Sequence, residues 1–269
     1  MRLQLIAAAI AISLAGCAST QAPTAAAANA AQAQVQASVD AQYEALANDI
    51  FKKLQAQNPW ASDRLPDMSA EALAKRAAEQ QAWLAQLEQV DVTALSRQNQ
   101  INHRMITYRL KNEIDSYTYN EHYMPLNAEG GFHSNLGFMV RNASFRSFAD
   151  YQNYIARLQD IPRYMEQQTG WLKVGMAEGY TQPKAAMQGF EESIAAFIAQ
   201  NPHESLFYQP FTGTPPNFVT AEQWRELQQQ AAKIIDEAVV PAYQAYFDFM
   251  VMEYLPNCRD SVGASELPN

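Results

Sequence analysis

The sequence predicts an all-α protein, a bundle-like assembly of amphipathic helices. Three observations predict it. Apolar residues recur at three- and four-residue steps in one segment after another from Val39 to Tyr254, the period of a helix with one buried face. Asn58-Pro59-Trp60 and Asn201-Pro202 interrupt that pattern, because proline removes a backbone donor and clashes with the preceding turn. No run of alternating β-branched residues suggests a sheet.

The first helix carries Val39, Tyr43, Leu46, Ile50, Phe51 and Leu54 as its stripe and stops at Asn58-Pro59-Trp60. A second starts at Ser69, with Trp83, Leu84 and Leu87 on its buried side, and residues 91–94 make a short junction. The third runs from about Leu95 to Tyr119. It carries two apolar lines, Ile101-Met105-Tyr108-Asn112 and Ile106-Leu110-Ile114-Tyr117, which predict contact on two sides. Residues 121–141 are rich in Gly, aromatic and polar residues, so this stretch is expected to be a loop. His122, Tyr123, Asn127 and His133 are its candidate ligand-facing side chains.

Residues 145–161 are helical by pattern, and Pro162 fits the first turn of a further helix running to Gly179. Pro183 opens another, through Phe190, Ile194 and Phe197, and residues 203–219 form a Pro/Gly/aromatic loop. From Thr220 to Tyr254 a long stripe built on Trp224, Leu227, Ala231, Tyr246 and Phe249 is interrupted by Pro241, where a kink or break is expected.

The start of the chain is an export signal. Met1-Arg2 precedes an apolar run from Leu3 to Leu14 that is too short to span a bilayer comfortably. Leu14-Ala15-Gly16-Cys17 resembles the lipobox of bacterial lipoproteins, which implies removal of residues 1–16 and lipidation of Cys17. Each buried methylene contributes about 0.8 kcal/mol, so several acyl chains anchor a protein to the membrane firmly. Ala18, rather than aspartate, implies by resemblance the outer membrane, with the protein facing the periplasm. Residues 17–37, lacking aromatics, read as a flexible tether whose part from Ala30 onward suits helix, and the domain is expected over 38–269.

Losing Arg2 with the signal takes the formal net charge from −9 to −10. That acidity argues against nucleic acid as a partner. With Cys17 lipidated, Cys258 has no intramolecular disulfide partner and reads as a small, semi-buried residue.

Catalytic patterns are missing. His203-Glu204 begins a zinc-helix motif that fails at Phe207, where the second histidine would stand one turn on. His122 and His133 offer a metal site only by converging with Glu113 or Glu121. No Gly-x-Ser-x-Gly elbow or phosphate-binding glycine loop occurs.

Several stretches in order resemble the bacterial "domain of unknown function 885" family. They are Tyr154-Ile155-Ala156-Arg157-Leu158 with Ile161-Pro162-Arg163-Tyr164; Gly175 to Lys184; and Glu253-Tyr254-Leu255-Pro256-Asn257-Cys258-Arg259 with Gly263 and Leu267-Pro268. Members of that family resemble helical zinc metallopeptidases whose hallmark is a His-Glu-x-x-Pro-Gly-His-His segment in the C-terminal half. The resemblance implies that this chain is the N-terminal half only, one side of a substrate cleft, with zinc expected for the complete domain and no catalytic or metal residue here. It further implies inactivity alone and, as partners, a peptide substrate or the C-terminal half. The alternative is a non-catalytic helical lipoprotein that binds an envelope partner or peptide. Uncovered aromatic surface around Tyr246 to Tyr254 and the Gly130 loop is expected on the first reading.

Overall fold

A computed structural model describes residues 25–57 and 63–268; the signal sequence, Cys17 and the Asn58-Pro59-Trp60 stop lie outside them. Among the described residues eight α-helices follow in order: α1 Ala25–Ala56, α2 Ala70–Leu87, α3 Arg97–Thr118, α4 Phe132–Asn142, α5 Phe148–Ala177, α6 Phe190–Ala195, α7 Ala221–Ile234 and α8 Val240–Phe249. Among the described residues the only strands are a two-residue hairpin, β1 Leu126–Asn127 and β2 Gly130–Gly131, paired antiparallel. The all-α expectation holds. No helix among the described residues is long and apolar enough to cross a membrane.

Two cores form. Tyr43, Ile50 and Leu54 of α1 meet Trp83 and Leu87 of α2 and Leu110 of α3 in a smaller N-terminal core. The larger one gathers α4–α8 around α5, with Tyr154, Leu158, Ile161 and Leu172 facing Tyr243, Tyr246, Met250 and Tyr254. Helix starts follow side-chain caps: Ser69 accepts from Ala72 N–H, Ser96 from Asn99 N–H, and Thr220 from Gln223 N–H.

The segment before α2 is clamped onto α5 and joins the two parts. Leu65 N–H donates to Asp160 Oδ2 (2.9 Å) and Met68 N–H to Gln167 Oε1 (2.8 Å). The Arg163 guanidinium donates to the carbonyls of Leu65 (3.0 Å) and Pro66 (3.2 Å) while paired with Asp160 at 2.6 Å. Burial alone would raise the Asp160 pKa, but Arg163 and the Leu65 N–H outweigh it and hold the carboxyl below its usual value.

Four expectations about where the helices and loops run need correction. Helix α1 starts at Ala25, so residues 25–37 of the expected tether are helical, as Ala- and Gln-rich sequence permits. The expected loop 121–141 contains the hairpin and α4, whose burial of Phe132, Leu136 and Met139 supplies the apolar face that composition obscured. Pro162 sits inside one continuous helix, α5, rather than at the start of a second; Ile161 and Met165 on either side are buried, and that packing outweighs the lost donor. The stretch from Pro183 is a 3-10 turn followed by the six-residue α6, because Gly189 (φ +74°) breaks the helix between them.

At Pro241 the long stripe divides, as expected, into two helices, α7 and α8. Residues 235–239 form a π turn that leads into α8, and Val240 N–H bonds Ile235 O, five residues back. The wider register absorbs a residue that cannot donate. A second π turn, Met250–Tyr254, follows, and Leu255 N–H bonds Met250 O.

Of the two α3 lines, one packs inward, with Ile106, Ile114 and Tyr117 half-buried, and the other does not. Leu110 is fully buried, whereas Ile101 (40% exposed), Met105 (65%) and Tyr108 (69%) face solvent. The uncovered aromatic surface expected near the end of the chain is also different: Tyr246, Phe249 and Tyr254 are buried, and Val251, Met252 and Phe138 are exposed instead.

Candidate functional site

The site is built around the turn that leaves α3. Asn120 adopts a left-handed conformation (φ 58°), which residues with short polar side chains tolerate, and reverses the chain into a 3-10 turn, Glu121–Tyr123. That turn lies directly on α5 at Gly175, where a Cβ would stand 2.5 Å from Tyr123 O and 3.0 Å from Tyr180 O. Only glycine permits this approach. Next in the hairpin, Gly130 (φ +156°) turns the chain, and Gly131 N–H donates to Ser134 Oγ at 3.0 Å to start α4.

Aromatic rings fix the turn. His122 stacks on Tyr117 (centroids 5.4 Å apart) and meets Trp171 edge-on at 4.5 Å. Tyr123 stacks on Trp171 at 5.6 Å and meets Tyr180 edge-on at 5.5 Å. The Trp171 indole N–H donates to Met68 O at 2.6 Å. Burial among these rings lowers the His122 pKa, keeping the imidazole neutral at neutral pH.

Two concavities flank the turn and share Glu121. One, about 350 Å³, lies between α2 and α3 and is lined by Arg76, Gln80, Glu113, Tyr117 and His122. The other, about 740 Å³, lies under the hairpin and is lined by Asn127, Glu129, Ser134, Phe138 and Gln182. Both mix donors and acceptors. Gln80 is 3% exposed and lines the first.

The four candidate side chains therefore separate. His122 lines the first concavity and Asn127 the second, where Asn127 Oδ1 also accepts Glu129 N–H at 2.9 Å. Tyr123 is half-buried in the aromatic stack. His133 is not on a ligand-facing surface: it is fully buried, on α4, against Phe190 and Tyr246. The Ser193 hydroxyl donates to Phe190 O (2.6 Å), so His133 Nε2–H donates to Ser193 Oγ (3.0 Å). Burial pushes the His133 pKa from 6.5 down to about 4. It was placed in a loop by composition, and its helical, apolar setting withdraws it.

His122 and His133 do not converge, and among the described residues no three His, Cys, Asp or Glu side chains could hold a metal ion. His203 lies in an exposed 3-10 turn against Tyr208. Cys258 is buried and its thiol is pushed up to about 11 by that burial, which disfavours the thiolate a nucleophile needs. The described residues do not fit a zinc centre.

Sequence reasoning missed the contact between two distant stretches. Arg259 N–H donates to Gln182 O (3.2 Å), Lys184 N–H to Arg259 O (2.8 Å), and the Arg259 side chain to Thr181 O (2.9 Å). Gln182 in turn donates its side-chain amide to Leu126 O at 2.7 Å, tying the second concavity to the end of the long helix. Tyr180 donates its hydroxyl to Pro268 O. Both stretches stood out only through the family resemblance, since neither has a periodic pattern.

Comparison with curated proteins by sequence gives no match. Among solved structures, the putative lipoprotein from Colwellia psychrerythraea shares the fold, with a TM-score of 0.71 at 16% identity. The match covers 86% of this chain and 44% of that one, so the chain spans less than half the length of this structural relative. The family model for bacterial proteins of unknown function DUF885 matches residues 52–268, and the chain belongs to that family.

Proposed function

We propose that this chain is the N-terminal helical part of an exported, lipid-anchored protein resembling zinc-dependent peptidases, and that it supplies one wall of a peptide-binding cleft rather than the reaction centre. The observation that carries this reading is the coverage: most of the chain superposes on less than half of a longer protein of the same fold. Two further features support it. The concavities beside Glu121 set hydrogen-bond donors and acceptors next to aromatic rings, the chemistry that a peptide backbone and its side chains require. Among the described residues no ligand set for a metal forms, which is compatible with a zinc held elsewhere in the complete domain.

On this reading His122, Tyr123 and Asn127 face substrate and the neutral His122 imidazole offers one donor and one acceptor. Cys17 carries the lipid, in the outer membrane with the protein in the periplasm. A second reading, a free-standing lipoprotein that binds an envelope peptide or partner, draws on the same concavities and on the exposed apolar residues of α3.

The test is to compare the mature chain alone with the same chain continued by a C-terminal half bearing the His-Glu-x-x-Pro-Gly-His-His segment. Peptide hydrolysis by the joined protein only is expected. Hydrolysis by the shorter chain alone defeats the proposal, and a joined protein that binds peptide without cleaving it favours the second reading.

A further inference from the structure

Helix α3 carries an exposed seam with the spacing of a coiled coil. Ile101, Met105, Tyr108, Asn112, Asp115 and Tyr119 follow one another at alternating steps of four and three residues, and all six are exposed. At 3.6 residues per turn these positions fall within about 60° of one line, the geometry of an a/d seam. Its apolar members are largely uncovered: Met105 is 65% exposed, Tyr108 69% and Tyr119 64%. The opposite face, through Leu110 and His103, is buried on α1 and α2. A helix already packed on one side thus presents a second packing face that none of the described residues covers.

Charge says what covers it. The N-terminal part of α3 carries Arg97, Arg104, Arg109 and Lys111 with no acid, and the C-terminal part carries Glu113 and Asp115 with no base. That order opposes the helix macrodipole, which favours acids at the start and bases at the end. Arg109 and Lys111 have distant partners in Glu113 and Glu88, each at 3.9 Å. Among the described residues Arg104, which flanks the seam, and Asp115, which forms the edge of the seam on that same side, have no ion-pair partner.

An antiparallel copy of α3 reverses the charge order and so complements it. In a two-fold antiparallel pair, flanks on the same side of each seam face each other. With the axis near Leu110, Arg104 of each copy lies opposite Asp115 of the other, Tyr108 opposite Asn112, and Ile101 opposite Tyr119. A parallel pair would set base against base and acid against acid. We propose that α3 is a self-association surface on which a second copy of this chain docks antiparallel through the Ile101–Tyr119 seam, with reciprocal Arg104–Asp115 ion pairs fixing the register. One helix pair buries less than a standard interface, so the dimer is weak and concentration-dependent.

The experiment is sedimentation of the mature chain carrying Cys17→Ser, over concentrations up to about 1 mM, the range in which weak pairs populate. The unsubstituted seam is expected to give a dimer that loosens as salt is raised. Arg104→Glu and Asp115→Arg each place like charges opposite each other twice, and each raises the dissociation constant by about tenfold or more. Arg104→Glu with Asp115→Arg in one chain restores it. Both side chains are exposed, so circular dichroism should show an unchanged fold in every variant. A monomer throughout the range, a dimer indifferent to the single swaps, or a double swap no tighter than either single one overturns the proposal.

Discussion

Gln182 donates its backbone N–H to the phenol oxygen of Tyr254 at 3.2 Å, joining residues 72 apart in sequence. Around that bond the turn after α5 and the end of the π turn after α8 are knitted together by Arg259, and the Gln182 side chain carries the link to the hairpin at Leu126. Tyr254 is fully buried, and burial pushes its phenol up to about 12 despite the Gln182 donor. Tyr254→Phe is expected to cost about 1 kcal/mol, because the half-buried Gln182 N–H then loses its acceptor. Urea denaturation followed by circular dichroism measures it, and an unchanged midpoint would show that this bond holds nothing.

The clamp on α5 gives the second prediction. Arg163→Ala removes donors to two backbone carbonyls and the partner of Asp160, and about 2–3 kcal/mol of destabilisation is expected. The Asp160 carboxyl is held below its usual 3.8, so its contribution is present above that pH and is lost as pH falls through the lower folded value. Arg163→Ala should therefore lie closest to the parent protein in Tm at pH values below the ordinary carboxylate range, where Asp160 takes up its proton in both states.

His133 works in the opposite pH range. Its folded pKa is depressed from 6.5 to about 4, so the unfolded chain binds a proton that the folded chain refuses. Stability falls as pH drops from 6.5 to 4, by about 3 kcal/mol over the window. His133→Gln keeps a donor for Ser193 and cannot titrate. Its Tm should decline less than that of the parent between those two pH values, and parallel curves would contradict the assignment.

Gly175→Ala tests the seating of the site. A methyl group would stand 2.5 Å from Tyr123 O, so either α5 or the 121–123 turn must move. A cost of about 1–3 kcal/mol is expected, as for other overpacked positions. The environment of Trp171 should change with it, read as a shift in tryptophan fluorescence, because Tyr123 stacks on that ring. Gly170→Ala, with nothing within 4 Å, is the control on the same helix.

The fold was legible where periodicity and burial agree. Stripes such as Tyr43-Ile50-Leu54 and Trp224-Leu227-Ala231 name the buried faces of α1 and α7 directly. It was illegible where packing overrides a local signal. Pro162 reads as the first turn of a new helix, yet it lies in the interior of α5. The α3 stripe with Met105 and Tyr108 reads as core and is surface, because periodicity reports an apolar face without saying what covers it. The site was half legible: composition marked the 121–141 stretch, but only the contacts separate His122, in its aromatic stack, from His133, inside the core.

The most direct test of the central claim is zinc content together with peptide hydrolysis for the purified mature chain. The account predicts no stoichiometric tight zinc and no cleavage, since no metal-binding cluster forms among the described residues. One tightly held zinc per chain accompanied by peptide cleavage would contradict it.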